Sequence, residues 1–186
     1  MQVALFGGSF DPPHVAHVLA AAYLLSVHGV DRVVVVPVYA HAFDKHLTAF
    51  EHRVAMCRLA MSILERVEVS EIERRLGSPS RTLRTVEQLS AEHPEWTLRL
   101  AVGADVLADA HKWLAFDEIT RKAPLIVLGR AGSERADAPP PLLPRVSSTR
   151  VRALLARTGD ADARAELEAV VPRDVRDYIE KHELYR

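Results

Sequence analysis

Hydrophobic residues in the first two thirds of the chain fall into short continuous runs, each followed by a longer segment in which apolar and polar positions mix. Val3-Ala4-Leu5-Phe6 is the first run and stops at Gly7-Gly8, the pattern of a buried strand passing into a tight turn. Residues 15–28 are helix-compatible and rich in Ala and Leu, Gly29 supplies a stop, and Arg32-Val33-Val34-Val35-Val36-Pro37 is a β-branched strand. These segments make one βαβ unit. The alternation continues with a helix within residues 48–65, a strand at Val67-Glu68-Val69, a helix near residues 82–92, and strands at Leu98-Arg99-Leu100-Ala101-Val102 and Leu125-Ile126-Val127-Leu128. A helix containing Trp113 is expected between the last two strands. Hydrophobicity within the strands is continuous rather than alternating, so both faces of the sheet must be covered. The pattern predicts a doubly wound α/β domain with a parallel sheet.

After Arg130 the composition changes to Ala-Gly-Ser-Glu-Arg-Ala-Asp-Ala-Pro-Pro-Pro, which reads as a loop over residues 131–146 with no core of its own. Residues 147–186 are helical in pattern, with turn signals at Gly159 and Pro172, and are expected to form a C-terminal helical cap on the sheet. The whole, residues 1–186, is expected to be a single domain whose α/β core is residues 1–130.

At 186 residues, 48% hydrophobic and 26% charged, the chain can bury one ordinary core and has little room for a second. The formal net charge of −1 calls for neither nucleic acid nor an anionic membrane as partner, so any phosphate-binding charge has to be local. Met1-Gln2-Val3-Ala4-Leu5-Phe6-Gly7-Gly8 lacks the basic start and long apolar stretch of a secretory signal, and no run approaches the ~18 apolar residues of a membrane span. A soluble cytoplasmic protein is expected. The single cysteine, Cys57, lies in an apolar run and reads as core.

In an open parallel sheet, ligands sit beyond the carboxyl ends of the strands, where amides of the next helix attract anions. Gly7-Gly8-Ser9-Phe10 occupies that place: glycine lets the main chain approach a phosphate, and Ser9 offers a hydroxyl and an amide. An ordinary strand-to-helix turn would look the same. His14 and His17, three residues apart, are then expected on one face in the first turn of the helix, facing the phosphate site. No third metal ligand lies in the segment, and a helix N-terminus favours anions.

The run from Gly7 through Asp11-Pro12-Pro13-His14-Val15-Ala16-His17 resembles the N-terminal HxGH signature of the nucleotidyltransferase superfamily, most closely the bacterial nicotinate-nucleotide adenylyltransferases. Roughly 130 residues on, Ser147-Ser148-Thr149-Arg150-Val151-Arg152 is similar to the family's SSTxIR motif. The stretch from Pro79 to Thr85, the Gly103…Asp105…Trp113 pattern and the ending from Val171 to Tyr185 are similar to the family as well. The resemblance implies a Rossmann-like fold and an enzyme of NAD biosynthesis. It would transfer the adenylyl group of ATP, with Mg²⁺, to nicotinate mononucleotide, giving deamido-NAD and pyrophosphate. It further implies that His14, His17 and Arg152 serve the phosphates catalytically. Gly7, Gly8, Ser9, Phe10, Asp105, Ser147, Ser148 and Thr149 would bind ATP. Lys45, Arg81, Thr82 and Trp113 would face the acceptor. No resident metal site is implied, and none is read from His41, Asp44 and His46.

The sequence departs from the family at a few places. Ala16 stands where glycine is usual, adding a methyl expected to lie near ATP, and Arg81 and Arg84 stand where Tyr and Asp are usual, making the acceptor side more basic. The segment 39–46 lacks the usual proline-rich form. Other readings are a nucleotidyltransferase with another acceptor (nicotinamide mononucleotide, phosphopantetheine or another phosphate) or another base, as in a cytidylyltransferase. A catalytically silent nucleotide sensor and a metal-dependent hydrolase on the loop histidines are further alternatives.

Overall fold

The first strand, β1 (Gln2–Gly8), lies at the centre of the sheet, and this is why its apolar run is unbroken. The structure is a computed structural model and describes residues 1–40, 47–107, 113–129, 131, 140, 143–157 and 159–186. β1 pairs in parallel with β2 (Arg32–Pro37) on one side and β4 (Thr97–Gly103) on the other. The outer strands β3 (Val67–Val69) and β5 (Leu125–Leu128) complete an all-parallel sheet of order β3-β2-β1-β4-β5. The register sets Leu5 beside both Val34 and Leu100. Alternate residues therefore build two cores, one on each face. Val3, Leu5, Val34, Val36, Leu98 and Leu100 belong to one. Ala4, Phe6, Val33, Val35, Ala101 and Ile126 belong to the other.

Helices cover both cores. α1 (Val15–Val27) and α2 (Phe50–Met61) supply Leu24, Met56, Cys57 and Met61 to one face; α3 (Ile72–Leu76), α4 (Thr82–Glu92) and α6 (Phe116–Lys122) supply Ile72, Val86, Leu89 and Ile119 to the other. Cys57 is core, and its burial pushes the thiol pKa well above its usual value, which makes it unreactive. A single helical turn, α5 (Ala104–Leu107), follows β4 directly. The cap consists of α7 (Ser148–Leu155), α8 (Ala161–Val170) and α9 (Arg173–Lys181), separated at Gly159, whose φ is +91°, and at Pro172. Asp160 caps α8 by accepting from the amides of Asp162 and Ala163. Val151, Val175 and Ile179 of α7 and α9 join the core on the α1–α2 face, and Tyr178 shares a 2.9 Å hydrogen bond with His52 Nδ1. Across the 131–146 loop, Ala131 N–H donates to Leu143 carbonyl at 3.1 Å and Leu143 N–H to Gly129 carbonyl at 3.3 Å.

Two features differ from the sequence reading. α3 was not expected, being a five-residue helix inside a charged stretch too short to show a periodicity. Trp113 is not in a helix: it lies in a bend, and α6 begins only at Phe116, after Ala115, which adopts a left-handed φ of +56°. Such a residue resets the chain direction and cannot continue a helix from Trp113.

The order of the strands fixes where a ligand can sit. From β1 the chain winds outward through β2 to β3, then crosses back to β4 on the other side of β1 and goes on to β5. The helices leaving β1 and β4 therefore diverge, and a crevice opens beyond the carboxyl ends of these two strands.

Candidate functional site

The loop between β1 and α1 is held by its carbonyl groups. Arg53 of α2 is 1% exposed; its Nη1 donates to Ser9 carbonyl at 2.9 Å and its Nε to Thr48 carbonyl at 2.8 Å. Its guanidinium also lies 5.5 Å from the Phe50 ring centroid. Burial draws the Arg53 pKa down, and the nearby Asp11 carboxylate opposes the shift. Asp11 is 3% exposed and accepts from Tyr185 hydroxyl at 2.7 Å and from Thr48 N–H at 3.3 Å. Burial raises the Tyr185 phenol far above its ordinary value, so it remains a donor. From α7, Arg152 Nη1 donates to Asp11 carbonyl at 2.6 Å and Ser148 Oγ to Pro12 carbonyl at 2.9 Å.

Phe10 sits at φ +48°, a conformation uncommon for a residue with a side chain and frequent at functional turns. Its ring is turned into the core, edge-on to Phe6 at 5.6 Å and to His17 at 4.8 Å. Phe10 is 1% exposed, so its ring is not available to a nucleotide. The same packing crowds Gly8, since a Cβ there would come within 3.1 Å of the Phe10 ring and the ring would have to give by a few tenths of an ångström.

His14 is the N-cap of α1, with φ −144° and ψ 174°, and His17 is three residues in. Their rings stack with centroids 3.8 Å apart and an interplanar angle of 25°. His14 is thus the cap rather than a member of the first turn, yet the pair does share one face. The His14 N–H donates to His17 Nδ1 at 3.1 Å. An accepting Nδ1 carries no proton, so neutral His17 holds its hydrogen on Nε2 and presents a fixed donor.

A cleft of about 330 Å³ opens at the carboxyl ends of β1, β2 and β4. Gly7, Gly8 and Ser9 form part of its wall, and so do Arg81, Thr82 and Trp113. The structure therefore brings the glycine turn and three of the acceptor-side residues into one cavity. Glu73, also at the cleft, is 6% exposed and is bound on both oxygens, by Tyr39 N–H at 3.0 Å and Thr85 hydroxyl at 3.4 Å. His14, His17, Ser148 and Arg152 do not line this cleft: Ser148 and Arg152 bond the Pro12 and Asp11 carbonyls, and His14 and His17 follow at the start of α1. Lys45 lies outside the described residues, as do His41, Asp44 and His46.

Other positions have more specific placements. Ser147 is the N-cap of α7, accepting from Arg150 N–H at 3.2 Å, and Thr149 Oγ1 accepts from Arg152 Nη2 at 3.4 Å. Asp105 opens α5 with an exposed side chain, and a Cβ on Gly103 would collide with its Oδ1. Ala16 is buried within the core cluster, so in the free protein its methyl packs inward. Of the two arginines that depart from the family, Arg81 lines the cleft. Arg84 instead turns away to donate to the carbonyl of Leu76, the last residue of α3, at 2.6 Å.

Sequence reasoning did not single out Arg53, Glu73 or Tyr185. Arg53 and Glu73 sit in helices among other charges, and no pattern marks which charge is buried. Replacing Arg53 with Ala strips the Ser9 and Thr48 carbonyls of a charge-assisted partner, and should lower unfolding stability by about 3 kcal/mol or more in urea denaturation. A loss below about 1 kcal/mol would show that the loop does not depend on this guanidinium.

The Cytidylyltransferase-like family profile matches residues 5–154. A relative from Anaeromyxobacter dehalogenans (strain 2CP-C), named "Probable nicotinate-nucleotide adenylyltransferase", is 44% identical over 100% of this chain and 97% of its own length. A relative of the same name from Myxococcus xanthus (strain DK1622) is 40% identical over 100% of this chain and 95% of its own. Among solved structures, the Plasmodium falciparum nicotinic acid mononucleotide adenylyltransferase complexed with NaAD superposes with a TM-score of 0.83 at 20% identity, covering 99% of this chain and 97% of that one. That likeness establishes the same Rossmann-like α/β fold. With a full-length match to sequences this similar, the chain belongs to the nicotinate-nucleotide adenylyltransferases, within the cytidylyltransferase-like family.

Proposed function

We propose that this enzyme transfers the adenylyl group of ATP to the phosphate of nicotinate mononucleotide, forming deamido-NAD and releasing pyrophosphate, in the cytoplasm. The observation that carries the reading is that one loop, from Gly7 to His17, joins two unlike groups of residues: the cleft with Arg81, Thr82 and Trp113 at its start, and the stacked histidines with the α7 bonds to Asp11 and Pro12 at its end. A dinucleotide product has this same division. Its phosphates would lie at the turn and its pyridine in the cleft.

The reaction is an in-line displacement. An oxygen of the acceptor phosphate forms a bond to the α-phosphorus of ATP, and the bond from that phosphorus to the α–β bridging oxygen breaks, its electron pair leaving with pyrophosphate. The attacking oxygen is already anionic, so no protein nucleophile is needed and catalysis rests on positioning and charge neutralisation. We assign the His17 Nε2–H, held by the Nδ1 bond to the backbone, to the transferring phosphates, with His14 stacked on it. The amides of Gly7 to Phe10 would cradle the triphosphate. Ser147, Ser148 and Thr149 would contribute from the start of α7. Arg152 keeps further N–H donors for the leaving phosphates beyond those bound to Asp11 and Thr149. Asp105 would meet the nucleoside, and Lys45, Arg81, Thr82 and Trp113 the acceptor. Among the described residues no group of three or more His, Cys, Asp or Glu is gathered as a metal site. Magnesium would enter with ATP as the MgATP substrate, carried by the phosphates. Among the described residues no helix is long and apolar enough to cross a membrane.

Pyrophosphate release by the pure protein with MgATP should occur with nicotinate mononucleotide and not with phosphopantetheine; release with phosphopantetheine alone would move the acceptor, and silence with every acceptor would favour a sensor. His17→Ala should stay folded, with some stability lost with the His14 N–H bond and the ring packing, and lose on the order of 10²–10³ in kcat; full turnover by the folded variant would remove His17 from the mechanism. Gly103→Ala tests Asp105. Gly103 does not use a left-handed φ, and the group displaced is an exposed side chain, so stability should hardly change. The KM for ATP should rise several-fold, by about 1 kcal/mol; an unchanged KM would show that Asp105 does not touch the nucleotide.

A further inference from the structure

Arg81 is the N-cap residue of α4, half-buried in the wall of the cleft, and its guanidinium forms no hydrogen bond or ion pair among the described residues. Its backbone is not loose. Ser80 beside it is tied to the chain leaving β2, accepting from Ala40 N–H at 3.1 Å through Oγ and donating its own N–H to Ala40 carbonyl at 3.4 Å. The neighbouring ionisable groups are already committed elsewhere. Glu73 is bound on both oxygens, and Arg84 is turned onto the Leu76 carbonyl. Much of the remaining wall is apolar, with Val36, Leu100, Val102, Trp113 and Ile119. A cation held in such a wall has lost part of its hydration without gaining a partner, and an anion on the ligand would supply one.

The two acceptors of interest differ at one group only. Nicotinate mononucleotide carries a carboxylate on the pyridine ring, and nicotinamide mononucleotide carries a neutral amide there; ribose and phosphate are shared. The flat apolar walls suit the ring, and Arg81, unpaired among the described residues, suits the carboxylate. We propose that Arg81 is a specificity-determining residue of this enzyme, pairing with the ring carboxylate and so favouring the acid over the amide. The inference rests on the adenylyl-transfer reading above and assigns to one residue the discrimination within it. Arginine can meet a carboxylate with two parallel N–H bonds, a geometry that the amide cannot match and that lysine supplies only as a point charge.

The test compares wild type, Arg81→Gln and Arg81→Lys in kcat/KM for both acceptors at saturating MgATP, with calorimetric binding of each acceptor alongside for any pair too slow to assay. Arg81→Gln should lower kcat/KM, or affinity, for nicotinate mononucleotide on the order of 10- to 100-fold. It should leave nicotinamide mononucleotide within about threefold, so that the preference ratio collapses, while Arg81→Lys retains part of it. An equal loss for both acceptors would mean that Arg81 holds the shared phosphate, and would overturn the proposal, as would no loss for either. A wild-type enzyme that uses neither acceptor would instead overturn the adenylyl-transfer reading, a result separable from an unchanged ratio. The Arg81 side chain makes no internal bond among the described residues, so both variants should melt with the wild type.

Discussion

The site depends on the saturation of one short loop's acceptors. Between β1 and α1, the carbonyls of Ser9, Asp11 and Pro12 are each taken by a side chain from a distant part of the chain, and the buried Asp11 carboxylate accepts from Tyr185 and Thr48. With these three carbonyls engaged internally, the loop's N–H groups weigh more toward a ligand, and N–H groups bind anions. The same bonds explain why the C-terminal cap belongs to the site. Ser148, Arg152 and Tyr185 are far from Asp11 in sequence, yet each bond they make to it or to Pro12 orients the turn that would carry the phosphates. Arg53, buried beneath, completes the arrangement from α2.

The sheet gives this loop its place. Because β1 is central and the chain reverses direction of winding between β1 and β4, the crevice opens where the Gly7–Ser9 turn leaves the sheet. The loop therefore serves two groups of residues. Its Gly7–Ser9 end lines the cleft with Arg81 and Trp113, and its Asp11–Pro12 end is bonded by α7 and runs into the stacked histidines of α1. Glu73 and Ser80 stitch the chain after β2 to α4 and to the segment preceding it, and so define the cleft wall independently of the phosphate loop. Two such groups sharing one loop suit a reaction that joins two substrates by positioning alone.

Much of this was legible in the sequence, for identifiable reasons. The strands read correctly because burial on both faces leaves unbroken apolar runs, and β2, β3 and β5 begin and end where the pattern put them. The breaks at Gly159 and Pro172 read correctly because glycine takes the φ of +91° that a side chain would resist, and proline has a fixed φ and no N–H to continue a helix. What was not legible concerns which polar groups are buried. Arg53 and Arg58 lie one and a half turns apart on α2, and only the fold decides that one reaches Ser9 beneath the loop and the other pairs with Glu71 in solvent. Arg81 and Arg84 looked like one basic patch, and the structure separates a residue of the cleft from a brace for α3. Trp113 was placed in a helix because nothing in the sequence marks Ala115 as left-handed.

Charge sorting links the sequence to the chemistry. With a net charge of −1 the molecule as a whole does not attract nucleotides, so selectivity for phosphates has to come from how charge is arranged locally. The arrangement works through the anions as much as the cations. Asp11 and Glu73 are two carboxylates that could oppose an incoming phosphate or carboxylate, and both are buried with their oxygens engaged by donors of the protein. The cations are left with capacity to spare: Arg152 at the start of α7 uses part of its donor set, and Arg81 in the cleft uses none among the described residues. Engaging these two acids internally while leaving the bases available lowers the repulsion that a reaction between two anionic substrates has to overcome.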